Sequence, residues 1–405
     1  MEKAPILVIN TGSSSLKMGL YCSVGAEEKL VLDGLADGIA SRTGTLLLRG
    51  ASGRILRSAT LQFASQQEAL AQLAPWIAEF SPQNPVAVGH RVVHGGPRLT
   101  QHQRITPEVV RELRECVHFA PIHIPMALGL IEAAQHAYPN VPQFACFDTA
   151  FHRTLPETAK RFPLPRHLYD QGIYRYGFHG LSYESIVHRL GGDLPPRTVV
   201  AHLGNGASLA ALKQGRSVDT TMGLTPVGGI PMATRSGDLD PGLLLYLMRA
   251  GHADADALEQ MLNHDAGLKA LSGGGSDMRE LEKRAAAGDP EAQLAIEIFC
   301  SAIRKTVAGY AAVLGGLDLL VFTGGIGEHS AQIRTKVCSN LEFLGIVLDA
   351  AKNETPEGNL SAACGRVKLL ALPSEEDRQI SRHCRFQLAP EKGFSSLHPP
   401  RDAHQ

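Results

Sequence analysis

Short apolar runs along this chain alternate with longer stretches in which apolar residues recur every three or four positions. The apolar runs predict β-strands at 6–9, 86–88, 199–203 and 319–322. The helical spacing is clearest over 107–118, 127–136 and 290–314. Further runs predict antiparallel strands at 30–36 and 45–48, and a helix at 66–80. Strands that alternate with helices in this way are typical of an α/β protein.

The most informative local pattern is an apolar strand that runs into a hydroxyl-rich turn and ends in a lysine. The turn is Asn10-Thr11-Gly12-Ser13-Ser14-Ser15, and the lysine is Lys17. Glycine permits a sharp turn in which backbone N–H groups and hydroxyls converge on an anion. A plain hairpin turn is the alternative interpretation. A similar turn, Gly204-Asn205-Gly206-Ala207-Ser208, follows another apolar run in the second half, and this favours two related halves with phosphate-binding loops.

Length, charge and cysteine content limit the possible classes of protein. A chain of 405 residues is long enough for two domains. The formal net charge of −1 does not indicate a nucleic-acid or membrane partner. The seven cysteines are scattered and form no CxxC pair, which is typical of reduced thiols. Because the first residues lead directly into a strand and no apolar run approaches about twenty residues, we expect a cytoplasmic protein.

Candidate charged groups stand where predicted strands end. Arg91 lies in Gly89-His90-Arg91-Val92-Val93-His94, and its planar guanidinium suits a carboxylate or a phosphate. Asp148 directly follows the apolar run 144–147, at a place where α/β sheets present ligand-binding groups. A solvated surface arginine and an ordinary helix N-cap remain the alternatives for these two residues.

Four glycine-rich segments in the second half carry further candidate groups. His179 stands between glycines in Tyr176-Gly177-Phe178-His179-Gly180, and Arg235 lies in a long polar loop that ends before a helix near 243–249. The runs 273–279 and 322–328 are rich in glycine, and the second follows a strand, so backbone can approach a nucleotide closely there. A structural histidine and a solvated linker are the alternatives for the first two segments.

Taken in order, these motifs resemble the acetokinase family from about residue 5 to residue 385. The resemblance implies an α/β fold with two ribonuclease-H-like domains, as in actin-like ATPases, and an ATP site in the cleft between them. It implies an acyl-substrate domain at 1–150 plus about 376–390 and a nucleotide-binding domain at 151–375. We expect the tail, 391–405, to be disordered.

The resemblance also implies roles for individual residues. The catalytic group would be Asp148, His179, Arg235 and Arg91. Arg91 would also bind the substrate carboxyl group, with the methyl pocket walled by Val93, Ile122, Phe178 and Pro226. ATP would be bound by Lys17, His202, Leu203, Gly204, Asn205, Gly206, Asp277, Met278, Arg279, Gly324, Gly325, Ile326, Gly327 and Glu328. Mg²⁺, with Mn²⁺ as an alternative, would be held by Asn10 and Glu375.

The implied reaction is reversible transfer of a phosphoryl group from ATP to acetate, which yields ADP and acetyl phosphate. Propionate or butyrate is an alternative acceptor, and a non-catalytic ATP-driven clamp of the actin or heat-shock chaperone type is a third interpretation. We expect a homodimer with no nucleic-acid or membrane partner. The chain departs from the family pattern at Ile124, Met126 and Ala127, at Ala233, and at His329.

Overall fold

The computed structural model describes residues 3–12, 14–25, 27–81, 83–355 and 358–389. The tail that we expect to be disordered, 391–405, lies outside the described residues, as does Ser13 of the first loop.

The described strands form two mixed sheets. The first contains β1 (Lys3–Thr11), β2 (Ser15–Val24), β3 (Glu27–Asp37), β4 (Gly44–Gly50), β5 (Ile55–Leu61), β6 (Ala87–Val92), β7 (Gln103–Arg104) and β8 (Gln143–Phe147). The second contains β9 (Arg197–Leu203), β10 (Ala207–Lys213), β11 (Arg216–Thr220), β12 (Leu319–Thr323) and β13 (Lys368–Ala371). The strand β5 has no counterpart among the sequence-based predictions, because its residues are mostly exposed and it has no continuous apolar run.

The two sheets repeat one topology. In the first, β1 pairs antiparallel with β2 and parallel with β6, and β6 pairs parallel with β8. In the second, β9 pairs antiparallel with β10 and parallel with β12, and β12 pairs parallel with β13. The two hydroxyl-rich turns therefore connect equivalent hairpins, β1–β2 and β9–β10. The duplicated α/β architecture predicted from the sequence is confirmed.

The helices of the described chain cover both sheets. They are α1 (Gln66–Phe80), α2 (Pro107–Glu115), α3 (His123–Ala137), α4 (Glu157–Lys160), α5 (Arg166–Asp170), α6 (Gly180–Leu190), α7 (Pro241–Arg249), α8 (Ala255–Gln260), α9 (Gly267–Leu271), α10 (Met278–Ala286), α11 (Pro290–Leu314), α12 (Gly324–His329), α13 (Ala331–Cys338), α14 (Ala350–Glu354) and α15 (Glu376–Leu388). No helix in this described part is both long and apolar enough to span a bilayer.

Local signals explain why the bounds of α11 were predicted correctly. The Asp289 side chain accepts hydrogen bonds from the N–H groups of residues 291 and 292, and Pro290 occupies the first turn. Gly315 ends the helix with φ of 70°, a left-handed conformation that glycine adopts readily. Between these ends, Phe299, Ile303 and Val307 are buried in one core with the second sheet.

Helix α15 returns the chain to the first sheet. Its residues Ile380 and Cys384 share a buried cluster with Ile6 and Val8 of β1. A Cβ atom at Gly89 in β6 would lie 2.5 Å from Ile380 and 2.6 Å from the Cys384 sulfur, so only glycine permits this close packing. The domain boundaries near residues 150 and 375 stay a prediction.

Candidate active site

A cavity of about 450 Å³ lies where the two halves meet, at the carboxyl ends of β1, β6 and β8. This is the edge at which open α/β sheets bind ligands. The predicted residues that line it are Asn10, Lys17, Arg91, Val93, Asp148, Phe178, His179, His202, Gly204, Asn205, Gly206, Pro226 and Arg235. These residues come from six separate segments of the chain, and the fold brings them to one cavity.

Two further cavities continue the cleft. One, of about 410 Å³, shares Asn10, Lys17 and His202 with the first cavity and adds Gly324, Gly325, Glu328 and Glu375. The other, of about 370 Å³, shares Gly204 and Asn205 with the first and adds Asp277, Met278, Arg279, Gly325 and Ile326. Three predicted residues line none of these three cavities: Ile122, which precedes α3, Leu203, whose side chain is buried in the second core, and Gly327 in α12.

A buried ion pair stands at the centre of the first cavity. Arg91 Nη2 lies 2.6 Å from Asp148 Oδ2, and Arg91 Nε donates to the same oxygen at 3.0 Å. Burial raises the pKa of the Asp148 carboxyl to about 6, although the charge of Arg91 opposes this rise. Burial alone would lower the pKa of Arg91, but Asp148 and Glu376 raise it above its ordinary value. Both groups are therefore charged at pH 7.

Arg235 differs from Arg91 in having no acidic partner. Its Nη1 donates to the carbonyl oxygen of Pro226 at 3.2 Å, and no carboxylate of the described residues lies within 4.0 Å of it. Burial and the nearby charge of Arg91 lower the pKa of this guanidinium, which nevertheless remains protonated because arginine titrates far above neutral pH. The cavity therefore contains a positive charge that lacks a counter-ion, which suits an anionic ligand.

His179 is held by a chain of two hydroxyl groups, of which Ser208 belongs to the predicted turn and Tyr183 was missed by the sequence analysis. Its Nδ1 lies 2.9 Å from Ser208 Oγ, and that oxygen lies 2.5 Å from the Tyr183 hydroxyl. We predict that the buried Tyr183 hydroxyl donates to Ser208 and that the Ser208 hydroxyl donates to Nδ1, which would place the imidazole hydrogen on Nε2. Burial and the stacked ring of His202, 4.3 Å away, lower the pKa of His179 well below its usual value. The ring is a neutral hydrogen-bond donor at pH 7.

The backbone around His179 is tightly constrained. The residue has φ of 57°, a left-handed conformation that is uncommon for residues with a side chain. The next residue, Gly180, donates its N–H to the carbonyl oxygen of Asp148 at 2.8 Å. A Cβ atom at Gly180 would lie 2.2 Å from that oxygen, so glycine is required for α6 to approach the end of β8.

The carboxylates at the start of α15 divide into two environments. Asn10 Nδ2 donates to Asp377 Oδ1 at 2.6 Å, and Glu376 Oε2 lies 3.9 Å from Arg91 Nη1. Glu375 turns instead to Arg378, whose Nη1 donates to Glu375 Oε1 at 2.7 Å. Both Glu375 and Glu376 line the cavity of about 410 Å³, but of these two residues only Glu376 also lines the first cavity. The structure thus brings Asn10 together with Glu376 and Asp377.

Arg334 is a further residue that sequence reasoning missed. Its side chain is fully buried, and Nη1 donates to the carbonyl oxygens of Gly327 and Glu328 at 3.0 and 2.9 Å. These bonds satisfy carbonyl groups at the end of α12, a segment predicted to be a glycine turn. Glu328 in turn accepts a hydrogen bond from the N–H of Ser374 at 3.1 Å. Nothing in the local sequence distinguishes Arg334 from a surface arginine.

The tautomer of His179 can be tested directly. We expect nitrogen NMR shifts of labelled histidine in the wild type to show an unprotonated Nδ1 and a protonated Nε2. In Tyr183→Phe, Ser208 can either donate to Nδ1 or accept from it, and so the two tautomers should become comparably populated. A His179→Gln variant identifies the signal. A wild-type His179 protonated on Nδ1 would contradict the hydrogen-bond chain.

Comparison with known proteins agrees with this geometry. Residues 5–382 match the model of the acetokinase family. The chain is 42% identical over 388 residues to an acetate kinase of Rhodopseudomonas palustris, which covers 93% of this chain and 97% of the relative. It is 40% identical over 392 residues to an acetate kinase of Clostridioides difficile, with coverage of 93% and 98%.

Solved structures show the same similarity. The crystal structure of Porphyromonas gingivalis acetate kinase has a TM-score of 0.84 at 35% identity and covers 95% of this chain and 100% of that one. A propionate kinase of Francisella tularensis has a TM-score of 0.87 at 35% identity, with coverage of 94% and 99%. On these grounds, the chain belongs to the acetokinase family.

Proposed function

We propose that this enzyme transfers the γ-phosphoryl group of ATP to acetate, reversibly, to give ADP and acetyl phosphate. The observation that carries the proposal is the pair Arg91 and Arg235, which reach one cavity from the two halves, while the buried carboxylate of Asp148 is paired, among the described residues, with Arg91 alone. A transferred phosphoryl group spreads negative charge over three equatorial oxygens, and two preorganised guanidinium groups match that charge. An ATP-driven clamp has no need of this arrangement.

The transfer requires no general base. An acetate oxygen forms a bond to the γ-phosphorus while the bond between that phosphorus and the β–γ bridging oxygen breaks, and the electron pair leaves with ADP. A carboxylate is already ionised at pH 7, so no proton has to be removed from the nucleophile. Direct in-line transfer is therefore sufficient.

Each central residue has a role in this step. Arg91 binds the acetate carboxylate and the transferring group, and Asp148 orients Arg91 through its two-point contact. Arg235 provides the charge on the other side, where its backbone-bonded guanidinium is held ready for an anion. In the tautomer that we predict, His179 donates its Nε2–H to the phosphoryl oxygens.

The nucleotide occupies the remaining cavities. Lys17, His202 and the turn 204–206 adjoin the phosphates, and Asp277, Met278 and Arg279 with the segment 324–328 surround adenosine. We propose that Leu203 and Gly327 act through the backbone and packing, because their side-chain positions line no part of the cleft. We propose that Ile122, which lines none of the three cavities, supports from outside the acyl pocket that Val93, Phe178 and Pro226 wall.

The carboxylates of α15 suit a divalent cation. Mg²⁺, or Mn²⁺ in its place, prefers oxygen ligands, and Asn10, Glu376 and Asp377 provide an amide and two carboxylates at one place. Burial raises the pKa of Asp377, which indicates a carboxylate that lacks compensating charge. The cation, when bound, neutralises charge on the phosphates. We propose Glu376 as the principal ligand, since Glu375 is already paired with Arg378.

We also propose that the enzyme is a cytoplasmic homodimer. Helix α7 has no buried residue, and Leu243, Leu245, Tyr246 and Met248 are all exposed on it. A contiguous apolar surface of this kind is typical of a protein interface. A second copy of the chain is the partner that the proposal assigns to this helix.

The assignment of the metal ligand is testable with a matched pair of variants. Glu376→Gln should raise the Mg²⁺ concentration for half-maximal activity by at least about tenfold, because a direct carboxylate ligand is lost. Glu375→Gln should leave that concentration close to the wild-type value. Titration of Mg²⁺ at saturating acetate and ATP gives both numbers. The opposite ranking would return the role to Glu375.

Acid specificity tests the function itself. A hydroxamate assay for acyl phosphate should show acetate as the best acceptor, with kcat/KM for propionate lower by about 10- to 200-fold and for butyrate lower again, since a hydrophobic pocket discriminates one methylene by about 1–3 kcal/mol. Val93→Ala should narrow these ratios by enlarging the pocket. A wild type that prefers propionate would favour the alternative acceptor, and a wild type that forms no acyl phosphate would refute the function.

Activity should also depend on the ionisation of Asp148. Since its pKa is raised to about 6, the carboxyl is ionised at pH 7 and becomes protonated as the pH falls through this value. Protonation breaks the charge pair with Arg91, and so kcat/KM for acetate should fall about tenfold per pH unit below about 6. A profile that stays level down to pH 5 would contradict this role.

A further inference from the structure

Three polar side chains form a cluster behind the catalytic cavity that the mechanism above does not use. They are His102 in the loop before β7, Glu184 in α6 and His383 in α15, and their nitrogen and oxygen atoms all lie within 4.8 Å of one another. The side chains are only 10%, 16% and 23% exposed. None of the three was singled out by the sequence analysis.

The composition of this cluster suggests a transition-metal site, but its hydrogen bonds argue against one. The N–H of Phe147 donates to Nδ1 of His102 at 3.0 Å, so that nitrogen carries no hydrogen and Nε2 does. A metal ion on Nε2 would move the hydrogen to Nδ1, where it would face the N–H of Phe147. Metal-bound histidines normally donate from that second nitrogen to an acceptor.

Glu184 instead lies within hydrogen-bonding distance of both imidazole rings. His102 Nε2 lies 3.1 Å from Oε1, and His383 Nε2 lies 2.6 Å from Oε2. Burial alone would raise the pKa of Glu184, but the two imidazoles lower it below its ordinary value. The carboxylate is therefore ionised and accepts from His102, whose ring centroid lies 4.0 Å from that of His383. His383 Nε2 also lies 3.0 Å from the amide nitrogen of Gln379, whose oxygen accepts from Arg382, so the direction of its contact with Glu184 depends on the tautomer of His383.

The segments that Glu184 joins all carry groups of the active site. Phe147, bonded to His102, directly precedes Asp148, and α15 begins with Glu376. Helix α6 itself follows His179. We propose that Glu184 is a positioning residue which, through His102 and His383, holds the end of β8 and helix α15 in register with α6. The catalytic consequence rests on the proposed phosphoryl transfer, whereas the structural link does not.

The charge of Glu184 should affect the pKa of Asp148, an effect that a purely structural residue would not have. Four charged or titratable groups surround Asp148: Arg91 of β6, Glu376 of α15, Glu184 of α6 and the cavity histidine His179. The negative charge of Glu184 is one of the influences that raise the pKa of Asp148. Removing this charge should therefore lower the pKa of Asp148.

The experiment uses Glu184→Gln and His102→Asn, with Glu132→Gln as the control. Asparagine at 102 places an oxygen near the position of Nδ1, so it can still accept from Phe147 but has lost the link to Glu184. Glu132 is an exposed residue of α3, and among the described residues its carboxylate pairs only with Arg114. For each variant the pH profile of kcat/KM for acetate is measured, together with hydrogen–deuterium exchange of the peptide that contains Phe147.

We expect Glu184→Gln to lower kcat/KM about tenfold at pH 7 and to move the acid limb to lower pH by roughly half a unit. Both Glu184→Gln and His102→Asn should speed exchange at Phe147, and Glu132→Gln should match the wild type. If Glu184→Gln does not fold, the proposal is judged on His102→Asn. This variant keeps the negative charge of Glu184, so it should lower kcat/KM without shifting the acid limb of the pH profile.

Unchanged exchange at Phe147 and an unchanged acid limb in a folded Glu184→Gln would overturn the proposal. So would a Co²⁺ absorption band at one equivalent that is lost in His383→Ala, since it would show metal ligation. The exchange measurement does not depend on catalysis. A wild type without kinase activity would therefore refute the proposed function while leaving the structural link to be judged separately.

Discussion

The structure around the cavity depends on one buried carboxylate, Asp148, which is 1% exposed and must be paired to remain charged. Arg91 meets this requirement and then extends to Asn10 Oδ1 at 3.2 Å. Since breaking such a pair by removing one partner costs about 3–5 kcal/mol, the end of β6, the end of β8 and the first loop are held at fixed distances. Asp148 is thus needed both for the fold and for the orientation of Arg91.

The charges in the part of the cavity around Arg235 are arranged differently. Arg235 has a backbone carbonyl as its partner and no carboxylate within reach, so its charge remains available to a ligand. The neighbouring histidines His179 and His202 have lowered pKa values because they are buried, and they therefore add no competing charge. The result is a cavity in which one arginine is neutralised and the other is not.

Helix α15 completes the site last along the chain. It brings Glu376 and Asp377 to the first loop, and it is anchored by the buried pair of Arg385 with Glu28 of β3. Gly89 permits its close contact with β6. The positions of Glu376 and Asp377 therefore depend on the packing and pairing of residues later in the same helix.

The sequence by itself determined the family and those elements that carry a clear periodicity. Apolar periodicity and local caps such as Asp289 and Gly315 were enough to place α11, because these signals act within a few residues. The repeated turn at Asn10 and Asn205 likewise indicated the duplicated halves, and the strand end before Arg91 predicted a charged group at a ligand-binding edge, where Arg91 lines the cavity. Each of these signals depends either on residues that are close together in the chain or on the order in which the motifs occur.

Only the tertiary structure decided which neighbouring groups act. Glu375 and Glu376 are adjacent in sequence, yet Arg378 takes up the first while the second faces Arg91. Tyr183 and Glu184 carry no recognisable motif, and Ser208 was noted only as the end of a glycine-rich turn. The importance of all three comes from contacts with residues far away along the chain. A hydrogen bond requires the approach of two specific atoms to about 3 Å, and periodicity or spacing along one chain does not encode that distance.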